Sequence, residues 1–178
     1  MSIEKVRAYF ASVGLAERIQ EFEVSSATVA LAAEALHCEP ARIAKTLSFV
    51  NGDGAILIVA AGDARVDNPK FKAQFGVKAK MLTPEDAVRL IGHAVGGVCP
   101  FAVNDGVPVY LDESLKRFDV VYPAAGSSNS GIGLTIQELE EHSRCTPATC
   151  HLTLSPTFRP KTSAILSEIA MPFGSRLM

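Results

Sequence analysis

The sequence predicts an α+β protein: a single compact domain with a mixed, largely antiparallel sheet flanked by short helices. Three observations carry that prediction. The turn Asn51-Gly52-Asp53-Gly54 feeds the apolar run Ala55-Ile56-Leu57-Ile58-Val59-Ala60, which reads as a hairpin whose second strand is buried on both faces. The helix signals are short and individually capped, and they do not alternate regularly with strands as a parallel βαβ fold requires. With 178 residues, 48% hydrophobic and 20% charged, the chain has enough apolar surface for one core and too much for a disordered protein.

In chain order, Ile3, Val6, Phe10 and Val13 recur every three or four residues with Glu4, Lys5 and Arg7 between them, which predicts an amphipathic helix stopped by Gly14. An extended piece over 19–24 leads through Ser25-Ser26 into a second helix marked by Val29, Ala32, Ala33 and Leu36. Pro40 opens a short helix ending near Ala44, and 46–50 reads as the first strand of the hairpin. Asn68-Pro69 and Thr83-Pro84 each place a capping side chain before a proline at the first helical position, so helices are expected over 69–75 and 84–91, with Gly76 and Gly92 as stops. Further strands are expected over 77–82, 95–101, 107–111 and 118–122, followed by a loop over 123–130. Thr135-Ile136-Gln137-Glu138 is a capping box that opens a last helix reaching His142. Beyond it, prolines fall among Ser and Thr and Glu168 is the one acid, so the domain is expected to occupy 1–144 and an atypical tail 145–178, with a short helix around Ile165–Ile169.

The formal charge of -2, from 17 Lys+Arg against 19 Asp+Glu, excludes a protein that is basic over its whole surface. Cys38, Cys99, Cys145 and Cys150 are irregularly spaced and predict reduced thiols. The longest apolar run, 55–62, has about half the residues a bilayer span needs, and the first ten residues lack a secretory pattern, so the expected compartment is the cytoplasm, without membrane partners. No GxxxxGK[ST], GxGxxG or HExxH occurs, and His142, Cys145, Cys150 and His151 match no zinc spacing, so no metal or cofactor is expected. Cys99 has His93 six residues upstream but no identifiable third group, which favours a buried structural thiol over a nucleophile.

Three stretches carry chemical potential. Lys45 lies among Ile43, Ala44 and Leu47, either as a snorkelling edge residue or as a cation in a pocket wall. Gly96-Gly97-Val98-Cys99-Pro100 allows close backbone approach to a ligand or a plain turn, and the small-residue loop from Pro123 through Gly126, Ser127 and Asn129 offers room and donors. Between Asp67 and Glu85 there is no acid, while Lys70, Lys72, Lys78 and Lys80 form a local basic patch able to take phosphates. Phe71 and Phe75 read as core residues rather than base-stacking platforms.

Ala44-Lys45-Thr46-Leu47, then Val95 to Phe101 around Gly96-Gly97, then Val121-Tyr122-Pro123-Ala124-Ala125-Gly126-Ser127-Ser128-Asn129 stand in the order seen in the YbaK-like proteins, relatives of the editing domain inserted in bacterial prolyl-tRNA synthetases. The resemblance spans 1–142. It implies the YbaK/prolyl-tRNA synthetase-associated domain fold and a metal-free, trans-acting aminoacyl-tRNA deacylase. Its substrate would be tRNA for proline carrying a small non-cognate residue such as alanine or cysteine, with prolyl-tRNA synthetase as a further partner. On that resemblance Lys45 is catalytic, with the N–H groups of Gly96 and Gly97 as oxyanion donors. Thr28, Thr46, Val98, Cys99, Pro100, Ala124, Ala125, Gly126 and Ser127 are the expected substrate contacts, and the basic patch of Lys70, Lys72, Lys78 and Lys80, read from local charge, is the expected tRNA contact. The YbaK subgroup has an Asp where this chain has Gly131, so no acidic role is carried over. The alternative on the same residues is a non-catalytic tRNA-binding module that keeps the fold.

Overall fold

The computed structural model describes residues 2–145 and 151–153. In chain order its elements are α1 (Ser2–Ser12), β1 (Ile19–Glu21), α2 (Val29–Ala35), β2 (Ile43–Asn51), β3 (Gly54–Ala61), α3 (Asn68–Phe75), α4 (Pro84–Asp86), β4 (Val109–Asp112), β5 (Val120–Pro123), β6 (Ser130–Ile132), β7 (Leu134–Thr135), α5 (Ile136–His142) and β8 (His151–Leu152). Helix α4 runs on into a π-helical turn, Ala87–Ile91, and single 3₁₀ turns occupy Ala16–Arg18, Pro40–Arg42 and Glu113–Arg117.

The hairpin is the spine of the molecule. Gly52, at φ 58°, closes the turn, and β2 and β3 run antiparallel through eight aligned pairs from Ala44–Ala61 to Asn51–Gly54. Parallel neighbours flank it, β5 on β2 and β4 on β3, giving a six-stranded sheet in the order β7-β5-β2-β3-β4-β8. β1 and β6 form a separate antiparallel pair. The sheet is therefore mixed, and antiparallel pairing dominates by length because the β2–β3 ladder is the longest.

Every residue of β3 after Gly54 is buried, because both faces are covered. On one face Val6 and Phe10 of α1 pack with Leu57, Val59, Leu111 and Phe101, the Phe10 and Phe101 rings meeting edge-on at 4.9 Å. On the other, Phe71 of α3 packs on Ile56, Ile58 and Phe49, with Phe75 against Phe71 at 4.7 Å. Each such side chain contributes about 2 kcal/mol by leaving water, so α1 and α3 are held by tertiary burial more than by helix propensity. Ala32 and Ala33 set α2 against Ile43.

The expected helices form where their caps place them: Asp67 and Thr83 accept from Lys70 and Asp86 N–H groups, and Gly76 and Gly92 end their helices at positive φ. Four expectations change, three in the backbone and one at a cysteine. Residues 77–82 make only a single bridge, Phe49 to Met81, because the segment meets β2 at Lys80 and Leu82 and then leaves it. Residues 95–101 form no strand: Gly96 has φ 93° and the Gly97 N–H turns back onto the Ala94 carbonyl. Beyond 144, β8 adds to β4 and buries Leu152, so the sheet draws on a segment that composition set apart as tail. The helix expected near Ile165–Ile169 lies outside the described residues. Cys38 and Cys99 are free thiols, whereas Cys145 is disulfide-bonded. Bridging depends on Cα separation in the fold, which irregular sequence spacing does not report. No helix among the described residues is long and apolar enough to cross a membrane.

The capping box forms as read, and Arg18 completes it by donating to Glu138 at 2.7 Å. Arg18 and the Thr135 N–H together hold the Glu138 carboxyl down at about 2 from an ordinary 4.5. Its charged form is the one the fold favours, so its contribution is complete above pH 4.5 and disappears as the pH falls through 2. Glu138→Gln is expected to lower stability throughout the range above pH 4.5, pH 7 to 8 included, and to converge with the unsubstituted protein as the pH falls through 2, so that its acid limb is flatter, as read by urea unfolding at successive pH values.

Candidate active site

Lys45 stands at the open end of the hairpin, opposite Ala60 and seven residues from the turn-closing Gly52. Its ammonium donates to the Gly62 carbonyl at 3.0 Å and to the Ala64 carbonyl. Those carbonyls are available because the chain turns tightly after β3. A side chain at Gly62 would overlap the Pro40 carbonyl oxygen, so only glycine lets the turn lie against the 40–42 segment. Burial pushes the Lys45 amine below the ordinary lysine range. The Asp63 and Asp112 carboxylates oppose that shift and Arg65 adds to it. An ammonium has three N–H groups. Two are spent on carbonyls, and the third makes no hydrogen bond among the described residues.

The two glycine-bearing loops, separate in sequence, pack on each other. A Cβ on Gly97 would lie 2.8 Å from Ser127 Cα, and one on Gly126 would lie 2.9 Å from the Ser2 carbonyl oxygen. The segment before α2 is stitched to the same region: Ser26 N–H donates to the Ser128 carbonyl at 2.6 Å and Asn129 Nδ2 to the Phe22 carbonyl at 2.9 Å. Between these pieces and the start of β2 opens a cavity of about 480 Å³. That size suits a small-molecule moiety.

Of the expected site residues, Lys45, Thr46, Thr28, Gly96, Val98 and Ala124 line this cavity. Thr28 also caps α2, its hydroxyl accepting from Leu31 N–H. Gly97, Cys99, Pro100, Ala125, Gly126 and Ser127 do not line it, and Pro100 lines a separate pocket with Asn104 and His142. Gly97 is corrected by its surroundings, and Cys99 is the buried structural thiol that the sequence favours over a nucleophile, although it does not reach the cavity as a substrate contact. The Gly97 N–H is committed to Ala94, which leaves Gly97 a packing role instead of an oxyanion one. Cys99 is wholly buried, with Sγ 3.6 Å from His93 Nε2, and burial pushes its thiol up to about 12. A thiol that stays protonated at neutral pH is no nucleophile, and His93 is occupied by the Phe101 carbonyl at 2.8 Å. Lys72, Lys78 and Lys80 are exposed and Lys70 is half-buried, all outside the cavity, although Lys80 adjoins Met81, which lines it.

Phe22, Leu36, Leu47, Met81 and Tyr122 also line the cavity, and sequence reasoning passed over them. Their spacing matches core faces, and only the exposure of Met81, at 57%, marks it as unlike a core residue. Gly131 lines the cavity too. A Cβ there would make ordinary contacts of 3.5 Å with Leu36 and the Pro123 carbonyl, so the missing side chain adds room. Among the described residues no cluster of three His, Cys, Asp or Glu side chains is placed to hold a metal ion.

The family model for the aminoacyl-tRNA editing domain matches residues 23–142, a stretch that holds every cavity-lining residue except Phe22. The chain belongs to the aminoacyl-tRNA editing domain family. A relative within reach of the family, the uncharacterized protein YwhH of Bacillus subtilis, is 52% identical over 144 residues, 80% of this chain and 92% of that protein. The proline–tRNA ligase of Lactiplantibacillus plantarum is 29% identical over 100 residues, 56% of this chain but 17% of the ligase, so the likeness is to one region of a much longer enzyme. Among solved structures, a proposed trans-editing enzyme for prolyl-tRNA synthetase superimposes with a TM-score of 0.77 at 30% identity, covering 88% of this chain and 98% of that one. Its mixed sheet with short helices is the fold described above.

The Thr46 hydroxyl is buried at the cavity wall with no hydrogen-bond partner among the described residues. Such a group is destabilising by about 1 kcal/mol or more. Thr46→Val is therefore expected to raise stability by about 1 kcal/mol in denaturant unfolding, and unchanged or lowered stability would show that the hydroxyl is satisfied in solution.

Proposed function

We propose that the protein is a trans-acting, metal-independent deacylase that removes small non-cognate amino acids from tRNA for proline. The observation that carries this reading is the convergence of Lys45, Gly96 and Ala124, from three separate sequence motifs, on one cavity of about 480 Å³. The family supports aminoacyl-tRNA as the substrate class, and the likeness to prolyl-tRNA synthetase regions and to a proposed trans-editing enzyme supports the proline system.

The chemistry asks little of the protein beyond orientation. Water adds to the carbonyl carbon of the aminoacyl ester, the bond to the ribose 3′ oxygen breaks, and that oxygen leaves with a proton. Free amino acid and tRNA result. An ester is already activated, so preorganised donors toward the oxyanion supply most of what is needed, and one such donor is worth about 100-fold in rate. In this reading the Gly96 backbone and the third Lys45 N–H serve the oxyanion or the terminal phosphate. The neighbouring hydroxyl of the terminal adenosine assists the water. Selection is steric: Leu36, Leu47 and Tyr122 form apolar walls that turn away larger side chains but separate near-isosteres weakly. Prolyl-tRNA synthetase is the natural partner for handing over mischarged tRNA, and the cytoplasm is the matching compartment.

The deciding experiment charges tRNA for proline separately with proline, alanine, cysteine, serine and 2-aminobutyrate and follows deacylation with and without chelator. Small non-cognate esters are expected to be cleaved equally in both, prolyl-tRNA to survive, and Lys45→Ala to lose about 100-fold in rate. If no ester is cleaved above the buffer rate, a tRNA-binding module without catalysis is the remaining reading. Neutralising Lys70, Lys72, Lys78 and Lys80 together is expected to weaken tRNA binding and reduce the slope of log K against log salt by about 3. An unchanged slope would remove these lysines from the interface.

A further inference from the structure

We propose that Arg117 is a positioning residue for Lys45, acting through Asp63 and the 62–64 turn whose carbonyls hold the lysine ammonium. The inference rests on the placement of Lys45 in the active site. It starts from the fact that the ammonium is oriented by two backbone carbonyls, Gly62 and Ala64, which flank Asp63. Arg117 grips that intervening residue with both guanidinium arms, Nη1 reaching Asp63 Oδ2 at 3.0 Å and Nη2 reaching Oδ1. The guanidinium is itself fixed: Nε donates to the Ser114 carbonyl at 2.8 Å and the group lies 4.9 Å over the Phe118 ring. Ser114 adds a second tether, its hydroxyl accepting the Ala61 N–H at 3.1 Å just before the turn. On the opposite side Gly62 N–H reaches the Ala41 carbonyl at 3.3 Å. The turn is thus clamped between two 3₁₀ segments.

Magnitudes separate positioning from stability. Asp63 is 47% exposed at its side chain, and ion pairs of that exposure contribute little to folding free energy. A bidentate grip, however, fixes direction, which lysine in place of arginine does not reproduce. The charged groups facing Lys45 are Asp63 and Arg65 on the turn and Asp112 at the end of β4, with Arg117 behind Asp63. Removing the guanidinium frees the Asp63 carboxylate toward the ammonium and lets water into the turn, and both effects favour the charged lysine.

The test combines [¹³Cε]lysine NMR titration of the full chain, with the Lys45 signal assigned through Lys45→Arg, and deacylation kinetics on the cleaved esters. Arg117→Met is expected to move the Lys45 titration upward and to lower kcat about tenfold with KM within about twofold. Arg117→Lys is expected to give a smaller shift in the same direction, and it remains measurable if the methionine variant does not fold. A Lys45 titration unchanged in the folded variants overturns the proposal. The two readings fail separately: full activity in Lys45→Ala refutes the role of Lys45 in deacylation, whereas the NMR shift registers the clamp whether or not deacylation occurs.

Discussion

The β2–β3 ladder is the constraint on which the rest depends. Its eight pairs fix the register of the central strands, and a strand buried on both faces does not slip by one residue without exchanging its two sets of contacts. That register decides which side chain stands at the open end of the hairpin. Lys45 opposite Ala60 follows from the position of the Gly52 turn, and the same ladder delivers Gly62 and Ala64 to the place where their carbonyls meet the ammonium.

Close backbone approach is the second organising feature. Gly62 against Pro40, Gly97 against Ser127 and Gly126 against Ser2 are contacts that a Cβ would abolish. These glycines therefore act less as ligand-binding turns than as points where segments distant in sequence are pressed together. The cavity lies between them, so its walls are as rigid as the packing behind them. The buried Cys99 and His93 belong to that backing, which is why a pair resembling a nucleophile and base has a thiol held protonated by burial.

Lys45 is the one charged residue among the described residues that line the cavity. One partly desolvated lysine, tied by two carbonyls, and a glycine backbone segment face a space lined by apolar side chains together with the hydroxyls of Ser26, Thr28, Thr46, Ser48 and Ser130. In a low-dielectric pocket each such group acts more strongly than it does in water. The family to which the chain belongs handles aminoacyl-tRNA.

The local signals were legible in the sequence because they are local. Caps at Asp67, Thr83 and Thr135, stops at Gly76 and Gly92, the Gly52 turn and the apolar β3 run each depend on a few neighbouring residues. Lys45, Thr46, Gly96 and Ala124 were also legible, because their motifs stand in a recognisable order. What the sequence left open is set by contacts between distant segments. Whether 95–101 forms a strand depends on the Ser127 backbone, whether residues past 144 join the sheet depends on a free edge at β4, and the bonding of Cys145 depends on separation in space. Leu36, Leu47 and Tyr122 show the same division. Periodicity marks them as inward-facing, but only the tertiary arrangement decides that inward means a cavity wall and not a filled core.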